Sequence, residues 1–141
     1  MSERSERPIE LSERSERPIE VSELATRWVE ALNTHDVDAI VAWYAEDGMH
    51  RMASGNTYTG AAEIRAMVTR SFDAYPDVRF ELRGAFAAGR DYTIEYTMLA
   101  LTAAVDGVLV GRTNGEGRVV TCVDYLDHLD LRRQLGLTSN S

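Results

Sequence analysis

The stretch from Val78 to Met98, VRFELRGAFAAGRDYTIEYTM, decides the fold class of this chain. Apolar and polar residues alternate through both of its halves, as they do in half-buried β-strands. The apolar positions are Val78, Phe80, Leu82, Tyr92, Ile94, Tyr96 and Met98. Gly89-Arg90-Asp91 lies between the halves and is typical of a turn. The stretch therefore predicts two consecutive strands joined by a tight turn.

Three segments before these strands have the spacing of amphipathic helices. Their apolar positions are Leu24, Trp28 and Leu32, then Val37, Ile40, Val41 and Tyr44, and then Ile64, Met67, Val68 and Phe72. Ser22 and Asp36 are predicted to cap the first two helices, and the second is expected to end near Gly48. A short strand over 49–53 and a loop should follow, and Pro76 should stop the third helix.

Two further strands are predicted after Met98, over 104–112 and 118–127. Asn114–Gly117 is a strong turn signal between them. Asp106-Gly107 indicates a tight turn or a bulge, and a bulge is favoured because a turn would leave a very short strand. Helices followed by strands indicate an α+β fold, in which helices pack on one face of a curved sheet and enclose a pocket.

The N-terminus contains a tandem repeat, because SERSERPIE occurs at 2–10 and again at 12–20. Two such copies have no continuous apolar face to bury, so they do not predict a solenoid. We expect residues 1–20 to form a flexible charged arm, 21–137 to form one domain, and 138–141 to be a tail.

Composition excludes several classes of function. The 141 residues suit one domain, and the net charge of −8 argues against nucleic acid or an anionic membrane surface as a partner. All fifteen basic residues are arginine. The absence of lysine excludes Schiff-base chemistry, a lysine-bound pyridoxal cofactor and a Walker-type phosphate site.

The cysteine and histidine residues predict neither a disulfide nor a metal site. Cys122 is the single cysteine, and His35, His50 and His128 are scattered without metal-ligand spacing. No apolar run is long enough to span a membrane, and the N-terminus has no apolar signal region. We therefore expect a cytoplasmic protein without a cofactor.

Several motifs resemble one known superfamily. They are TRWVEALN at 26–33, DVDAI at 36–40, YAED at 44–47, YTG at 58–60, IR at 64–65, VDYLD at 123–127 and RQLG at 133–136. Together they resemble the nuclear-transport-factor-2-like (NTF2-like) superfamily, and within it the ketosteroid isomerase and SnoaL-like polyketide cyclase branches. Over 22–137 the resemblance implies an α+β cone of three N-terminal helices on a strongly curved, mostly antiparallel sheet. We expect a homodimer that forms through the outer sheet face.

The ketosteroid isomerase site does not carry over to this chain. The resemblance places Trp28, Met52 and, with the register open, Leu109 where that family has a tyrosine, a basic aspartate and a protonated aspartic acid. Neither a thioether nor a leucine side chain can exchange protons. Steroid isomerisation by that mechanism is therefore not expected, unless a register shift returns Asp106 to the site.

The resemblance to SnoaL-like cyclases points to Asp124 instead. Periodicity leaves open which face of the last strand is buried, and the resemblance places Cys122, Asp124 and Leu126 inside. Burial disfavours the charged form of a carboxylic acid and suits it to moving protons near neutral pH. The alternative is a rim carboxylate that is solvated or paired with Arg112 or Arg118.

Three more residues are candidates for the chemistry. His50 shares the face of Met52 and would exchange a proton with Asp124, although a structural histidine is an open alternative. Tyr96, and Tyr44 on the inner side of the second helix, are candidate hydrogen-bond donors to a developing oxyanion, with a core role as the alternative. The expected pocket walls are Trp28, Met52, Met67, Met98, Cys122 and Leu126.

The predicted function is cofactor-free acid/base chemistry on a small hydrophobic carbonyl compound, either aldol-type cyclisation or isomerisation. One alternative is a non-catalytic module for small-molecule binding or dimerisation, whose cavity is filled by its own side chains. Another alternative is a limonene-type epoxide hydrolase, which needs an Asp-Arg-Asp array. The chain shows one convincing inward carboxylate, so the epoxide hydrolase ranks lower.

Overall fold

A computed structural model describes residues 19–136, which form four helices and one six-stranded sheet. The helices are α1 (Val21–Asn33), α2 (Val37–Trp43), α3 (Gly60–Ala74) and α4 (His128–Gln134). The strands are β1 (Tyr44–Met52), β2 (Thr57–Thr59), β3 (Arg79–Ala88), β4 (Asp91–Ala100), β5 (Ala103–Thr113) and β6 (Val119–Leu126). The predicted α+β class is confirmed.

The sheet is mostly antiparallel, as predicted. Its strand order is β2-β1-β6-β5-β4-β3, and only the β1–β6 pair is parallel. The chain turns between β3 and β4 at Gly89-Arg90 and between β5 and β6 at Asn114–Gly117, where the sequence predicted turns. Asn114 stabilises the second turn, because its side-chain oxygen accepts hydrogen bonds from the amides of Glu116 and Arg118.

One face of the sheet packs against the helices and forms the core. Alternate residues of β4, such as Tyr92, Ile94 and Tyr96, are buried on this inner face. At the end of α1, Asn33 exchanges two hydrogen bonds with the backbone of Phe80, which fixes this helix over β3. The inner face of the curved sheet and helices α1 to α3 thus enclose the space that the fold leaves for a ligand.

The boundary between α2 and β1 differs from the prediction. The helix ends at Trp43, and Tyr44 is already extended and pairs with Val119 on β6. Tyr44 therefore lies on β1 and not on the second helix, because sheet pairing outweighs the helical propensity of the following residues. Asp36 caps α2 as predicted, since its carboxylate accepts a hydrogen bond from the Ala39 amide.

Two smaller predictions about local structure are wrong. Ser22 lies inside α1, whose N-cap position is Glu20 without a side-chain hydrogen bond. The loop predicted after β1 contains the short strand β2, which pairs with β1. In both cases the pairing and packing of the neighbouring elements set the boundary.

Asp106-Gly107 forms neither a turn nor a bulge. Both residues pair in regular register with Thr97 and Tyr96 on β4. The glycine is needed for a different reason, because a methyl group at position 107 would overlap the phenol ring of Tyr96. Gly107 therefore makes room for a side chain that crosses the neighbouring strand.

The segment after β6 folds back as helix α4. Leu131 on this helix is buried in the core. Gln134 exchanges hydrogen bonds with both the amide and the carbonyl of Ala104 on β5. These contacts hold α4 against the sheet.

The division into an arm over 1–20, a domain over 21–137 and a tail over 138–141 stays a prediction. Residues 1–18 and 137–141 lie outside the described residues. Ile19 belongs with the domain, because its amide donates a hydrogen bond to the carbonyl of Gly89. No helix within 19–136 is long and apolar enough to cross a membrane.

Candidate active site

A cavity of about 240 Å³ lies between the helices and the inner face of the sheet. Its walls are mainly apolar and aromatic. The lining residues are Trp28, Leu32, Ile40, Tyr44, His50, Met52, Met67, Val68, Ser71, Phe72, Tyr75, Val78, Phe80, Tyr96, Met98, Asp124, Leu126, His128 and Leu131. The cavity thus has the apolar walls and few polar groups that are typical of small-molecule sites.

Asp124 is the acidic residue of this lining, which contains no arginine or lysine among the described residues. It faces inward because its position on β6 alternates with the exposed Tyr125. Its Oδ1 accepts a hydrogen bond of 2.6 Å from the hydroxyl of Tyr96, and its side chain is 15% exposed. Arg112 forms its ion pair with Asp91 instead. Asp124 therefore lies in the cavity wall and is not paired at the rim.

His50 lies next to Asp124, on the neighbouring strand β1. Its Nε2 is 3.6 Å from Asp124 Oδ2 and has no hydrogen-bond partner among the described residues. Its Nδ1 is 2.8 Å from the hydroxyl of Tyr44, which fixes the ring orientation. The imidazole side chain is 6% exposed. His50 therefore lines the cavity with one ring nitrogen held by Tyr44 and the other facing Asp124.

Tyr96 connects Asp124 to the aromatic wall of the cavity. Its ring centroid is 5.1 Å from that of Trp28 and 5.6 Å from that of Phe80, and the last two are 5.5 Å apart. Burial and the neighbouring Asp124 carboxylate raise the pKa of the Tyr96 phenol. The phenol therefore stays protonated and remains a donor to Asp124 over the physiological pH range.

Tyr44 also has an engaged hydroxyl group, and it belongs to a second buried cluster. Burial raises the pKa of the Tyr44 phenol, with further contributions from Cys122 and Asp124. The Cys122 thiol interacts with the hydroxyls of Tyr44 and Tyr92, and the Tyr92 hydroxyl donates to the carbonyl of Thr121. Burial and Asp124 raise the pKa of this thiol. The contact with Cys122 helps to hold the Tyr44 hydroxyl, and the same hydroxyl contacts Nδ1 of His50. Tyr44 therefore orients His50.

The position of Cys122 corrects one expectation. Cys122 was expected in the pocket wall, but it is fully buried behind the wall and does not line the cavity. Cys122 and Asp124 are two residues apart on β6 and both point to the inner face of the sheet. Cys122 lies deeper, opposite His50 on β1. The alternation of side chains along a strand cannot show this depth, because it fixes the face of the sheet to which a side chain points but not its position relative to the helices.

The other residues singled out from the sequence meet at the cavity. Three contacts link the four candidate catalytic residues there in the order Tyr44, His50, Asp124 and Tyr96. The expected wall residues Trp28, Met52, Met67, Met98 and Leu126 also line it. The catalytic roles of these residues stay predictions, since the geometry shows proximity and not turnover.

Several lining residues were missed, among them Tyr75, Phe80, His128 and Leu131. Phe80 was part of the alternating pattern that predicted β3, so its inward position was available from the sequence. His128 and Leu131 lie on α4, and no local signal shows that this short helix turns back over the cavity.

The described residues give no support to a metal site or to an epoxide hydrolase array. Within 19–136, no group of three or more histidine, cysteine or acidic side chains is placed to hold a metal ion. The part of the cavity lining that the structure describes has one carboxylate and no arginine. An Asp-Arg-Asp array around a water molecule therefore cannot be built from these residues.

Comparison with solved structures first defines the fold class. A SnoaL-like protein of unknown function from Burkholderia thailandensis has a TM-score of 0.69 and 20% identity, over 75% of this chain and 93% of that one. A candidate SnoaL-like polyketide cyclase from Shewanella denitrificans has a TM-score of 0.70 and 21% identity, over 82% and 96%. These similarities show that the fold is NTF2-like.

A third structure is more similar in sequence. It is a hypothetical protein with a ketosteroid isomerase-like fold from Catenulispora acidiphila, determined in complex with trimethylamine. The TM-score is 0.75 at 27% identity, and the match covers 86% of this chain and 98% of that one.

The family follows from the sequence comparison. The SnoaL-like domain model matches residues 25–133, which is more than half of the chain. The chain therefore belongs to the SnoaL-like family, and the resemblance stated from its motifs is confirmed. No curated protein matches the sequence significantly.

Proposed function

We propose that this protein catalyses cofactor-free acid/base chemistry on a small hydrophobic carbonyl compound. The observation that carries the proposal is Asp124, a largely buried carboxylate in an apolar cavity that is held by Tyr96 and faced by His50. General acid/base catalysis requires such a positioned group within reach of the substrate proton. SnoaL-like cyclisation or isomerisation is the closest reaction type.

The proposed reaction begins when the Asp124 carboxylate takes a proton from the carbon next to the substrate carbonyl. The electron pair of that C–H bond forms the enolate double bond, and the carbonyl π pair moves to oxygen. In isomerisation, Asp124 returns the same proton to another carbon of the conjugated system. In aldol closure, the enolate carbon attacks a second carbonyl group of the substrate, and Asp124 protonates the new alkoxide. Both routes leave Asp124 ionised again.

The surrounding residues hold Asp124 ready for both steps. Tyr96 orients the carboxylate, and Tyr44 orients His50 next to it, so these two hydroxyls are engaged before a ligand binds. Tyr75 and His128 line the cavity as well and provide donors for the enolate oxygen. The apolar walls exclude water, which strengthens each of these electrostatic interactions.

The test is hydrogen–deuterium exchange at the α-carbon of small ketones such as 1-tetralone, followed by NMR in D₂O. The wild-type protein should accelerate exchange, and Asp124→Asn should reduce the acceleration by about 10²- to 10⁴-fold. Asp106→Asn is the matched control, because Asp106 is an exposed carboxylate that accepts a hydroxyl hydrogen bond on the outer face. Exchange that survives unchanged in Asp124→Asn would contradict the proposal.

A second candidate function is the non-catalytic binding of a small alkylammonium ion. Tyr96 contacts the Asp124 carboxylate, and the rings of Trp28 and Phe80 pack against Tyr96 in the same cavity wall. Aromatic rings near a carboxylate attract organic cations. The trimethylamine complex of the Catenulispora acidiphila protein supports the same ligand class.

This candidate is tested by titration with choline and with its neutral isostere 3,3-dimethyl-1-butanol. Cation binding predicts an affinity roughly tenfold higher for choline, and loss of this preference in Asp124→Asn. Equal affinity for the two compounds would remove the candidate and leave the acid/base proposal untouched.

We also propose that the protein is a cytoplasmic homodimer that associates through the outer sheet face. Phe86, Val110 and Tyr125 are exposed on that face, at 60%, 40% and 49%. Val110 and Tyr125 lie on the adjacent strands β5 and β6, and Phe86 lies on β3 in the same row as Val110, with Thr93 of β4 between them. A second copy could cover these exposed apolar side chains. Light scattering should give twice the 15.7 kDa chain mass, and Val110→Asp should give the single mass.

A further inference from the structure

We propose that helix α4 closes one end of the cavity and limits its ligands to compact molecules of one or two fused rings. The inference rests on the proposed function for the chemical class, a carbonyl compound, but the size limit itself comes from the cavity. Leu131 and His128 are the α4 residues that form this end wall.

The size limit follows from the volume of the cavity. A closed apolar cavity of about 150 Å³ holds one benzene molecule. At the same packing, the 240 Å³ of this cavity, which is partly open to solvent, holds about ten non-hydrogen atoms inside its walls. That is the size of a fused two-ring ketone and is well below that of a four-ring steroid or polyketide.

Helix α4 is capped at its N-terminus and is held against the sheet near its C-terminus. Asp127 caps its N-terminus by accepting a hydrogen bond from the Asp130 amide. At the other end, Gln134 bridges the amide and carbonyl of Ala104 at 2.9 and 3.0 Å. Between them Leu131 is only 4% exposed, whereas Leu129 on the same helix is 59% exposed. The helix therefore presents one leucine to the cavity and one to solvent.

The lining also determines which polar groups a ligand can carry. The described lining contains one carboxylate and no basic side chain except the histidines. A substrate carboxylate or phosphate would therefore find no arginine to pair with, while the walls favour neutral or cationic ligands. The substrate class is thus a compact, uncharged or cationic ring compound.

The experiment measures dissociation constants by NMR titration for a size series of ketones. The series is 1-tetralone with two fused rings, 1,2,3,4-tetrahydrophenanthren-1-one with three, and androstenedione with four. The wild-type protein should bind the two-ring ketone and show at least tenfold weaker binding of the larger two. Equal or tighter binding of androstenedione by the wild-type protein would overturn the inference without any variant.

Leu131→Ala tests the role of α4 directly. The substitution removes three carbons from the end wall, and each newly buried methylene of a ligand adds about fourfold in affinity. Binding of the three-ring ketone should improve by about tenfold or more, while binding of 1-tetralone should not improve. Leu129→Ala is the matched control and should leave the whole series unchanged, and Leu131→Val should give a smaller shift if Leu131→Ala fails to fold.

The outcome for this inference can be separated from the outcome for the proposed function. Binding is measured without turnover and is repeated with Asp124→Asn, which should keep the same size limit. A size limit without ketone exchange would contradict the acid/base proposal alone. Exchange that proceeds equally well on three- and four-ring ketones would contradict the size limit alone.

Discussion

The two faces of the sheet offer a direct comparison between two aspartates. Tyr96 and Thr97 are consecutive residues on β4, and each donates a hydrogen bond to an aspartate, at 2.6 and 2.7 Å. Tyr96 donates to Asp124 on the inner face, and Thr97 donates to Asp106 on the outer face. Asp124 lies in an apolar cavity, whereas Asp106 is exposed to solvent. The same hydrogen bond therefore supports a candidate catalytic group on one face and a solvated group on the other.

The largest difference between the faces should appear in stability, at consecutive residues of β5. Leu109 is fully buried on the inner face, and Val110 is 40% exposed on the outer face. Leu109→Ala is expected to lower the free energy of unfolding by about 2–5 kcal/mol, because it leaves a cavity in the core. Val110→Ala should cost less than about 1 kcal/mol. Urea unfolding measures both values.

Similar losses of unfolding free energy in Leu109→Ala and Val110→Ala would contradict the expected difference between the inner and outer faces. They would mean that the outer face is as closely packed as the inner face, as it would be if the proposed homodimer covered it tightly. Repeating the unfolding at several protein concentrations separates the two causes, because only a dimer has concentration-dependent stability.

Substitutions at Gly107 and Gly84 should show the same contrast between the inner and outer faces. A methyl group at Gly107 would overlap the Tyr96 ring on the inner face. At Gly84 on the outer face it would meet a flexible side-chain oxygen of Glu95 at 3.1 Å. Gly107→Ala is expected to cost about 1–3 kcal/mol and to reduce ketone exchange, because Tyr96 must move away from Asp124. Gly84→Ala should leave exchange unchanged, and a fully active Gly107→Ala variant would show that the placement of Tyr96 is unimportant.

The alternating pattern explains why most of the fold could be predicted from the sequence. Tyr92, Ile94 and Tyr96 alternate with polar residues, and this pattern alone specifies a strand with one buried face. Helix α3 was equally clear, because its apolar stripe ends at a proline. The alternation also limited Asp124 to one of two faces, and the family resemblance selected the correct one.

Features that depend on distant contacts could not be predicted in this way. The early start of β1 at Tyr44 depends on pairing with Val119, which lies far away in the sequence. The role of Gly107 depends on the path of the Tyr96 side chain on another strand. The position of α4 against the sheet depends on the Gln134 contact with Ala104. None of these contacts leaves a local periodic signal.

Alkaline pH should weaken the inner face selectively. Burial raises the pKa of Tyr44, Tyr92 and Tyr96 above the ordinary value of 10.0, and that of the Cys122 thiol above its ordinary value of 9.0. The unfolded chain then loses the thiol proton from about pH 9 and the phenol protons from about pH 10 while the folded chain keeps them, so stability is full below about pH 9 and falls above it. The expected loss at pH 11 is about 1.4 kcal/mol per phenol and about 2.7 kcal/mol for the thiol.

Urea unfolding between pH 9 and pH 11 measures this slope, and the absence of lysine removes the groups that usually titrate there. Tyr92→Phe should reduce the loss of unfolding free energy at pH 11 by the contribution of one phenol, about 1.4 kcal/mol. Tyr125→Phe on the outer face should leave the loss unchanged. An identical slope in Tyr92→Phe would contradict the assignment to the buried phenols.

The smallest expected effect concerns the hydroxyl groups of Tyr96 and Thr97, which donate hydrogen bonds to Asp124 and Asp106. Tyr96→Phe removes the donor to Asp124 and leaves the aromatic wall in place, so ketone exchange should fall by only about 2- to 12-fold, the worth of one hydrogen bond. Thr97→Val removes the corresponding donor to Asp106 and should leave exchange unchanged. If the two variants behave alike, the hydrogen bond from Tyr96 does not position Asp124, and burial alone would have to account for the difference between the two aspartates.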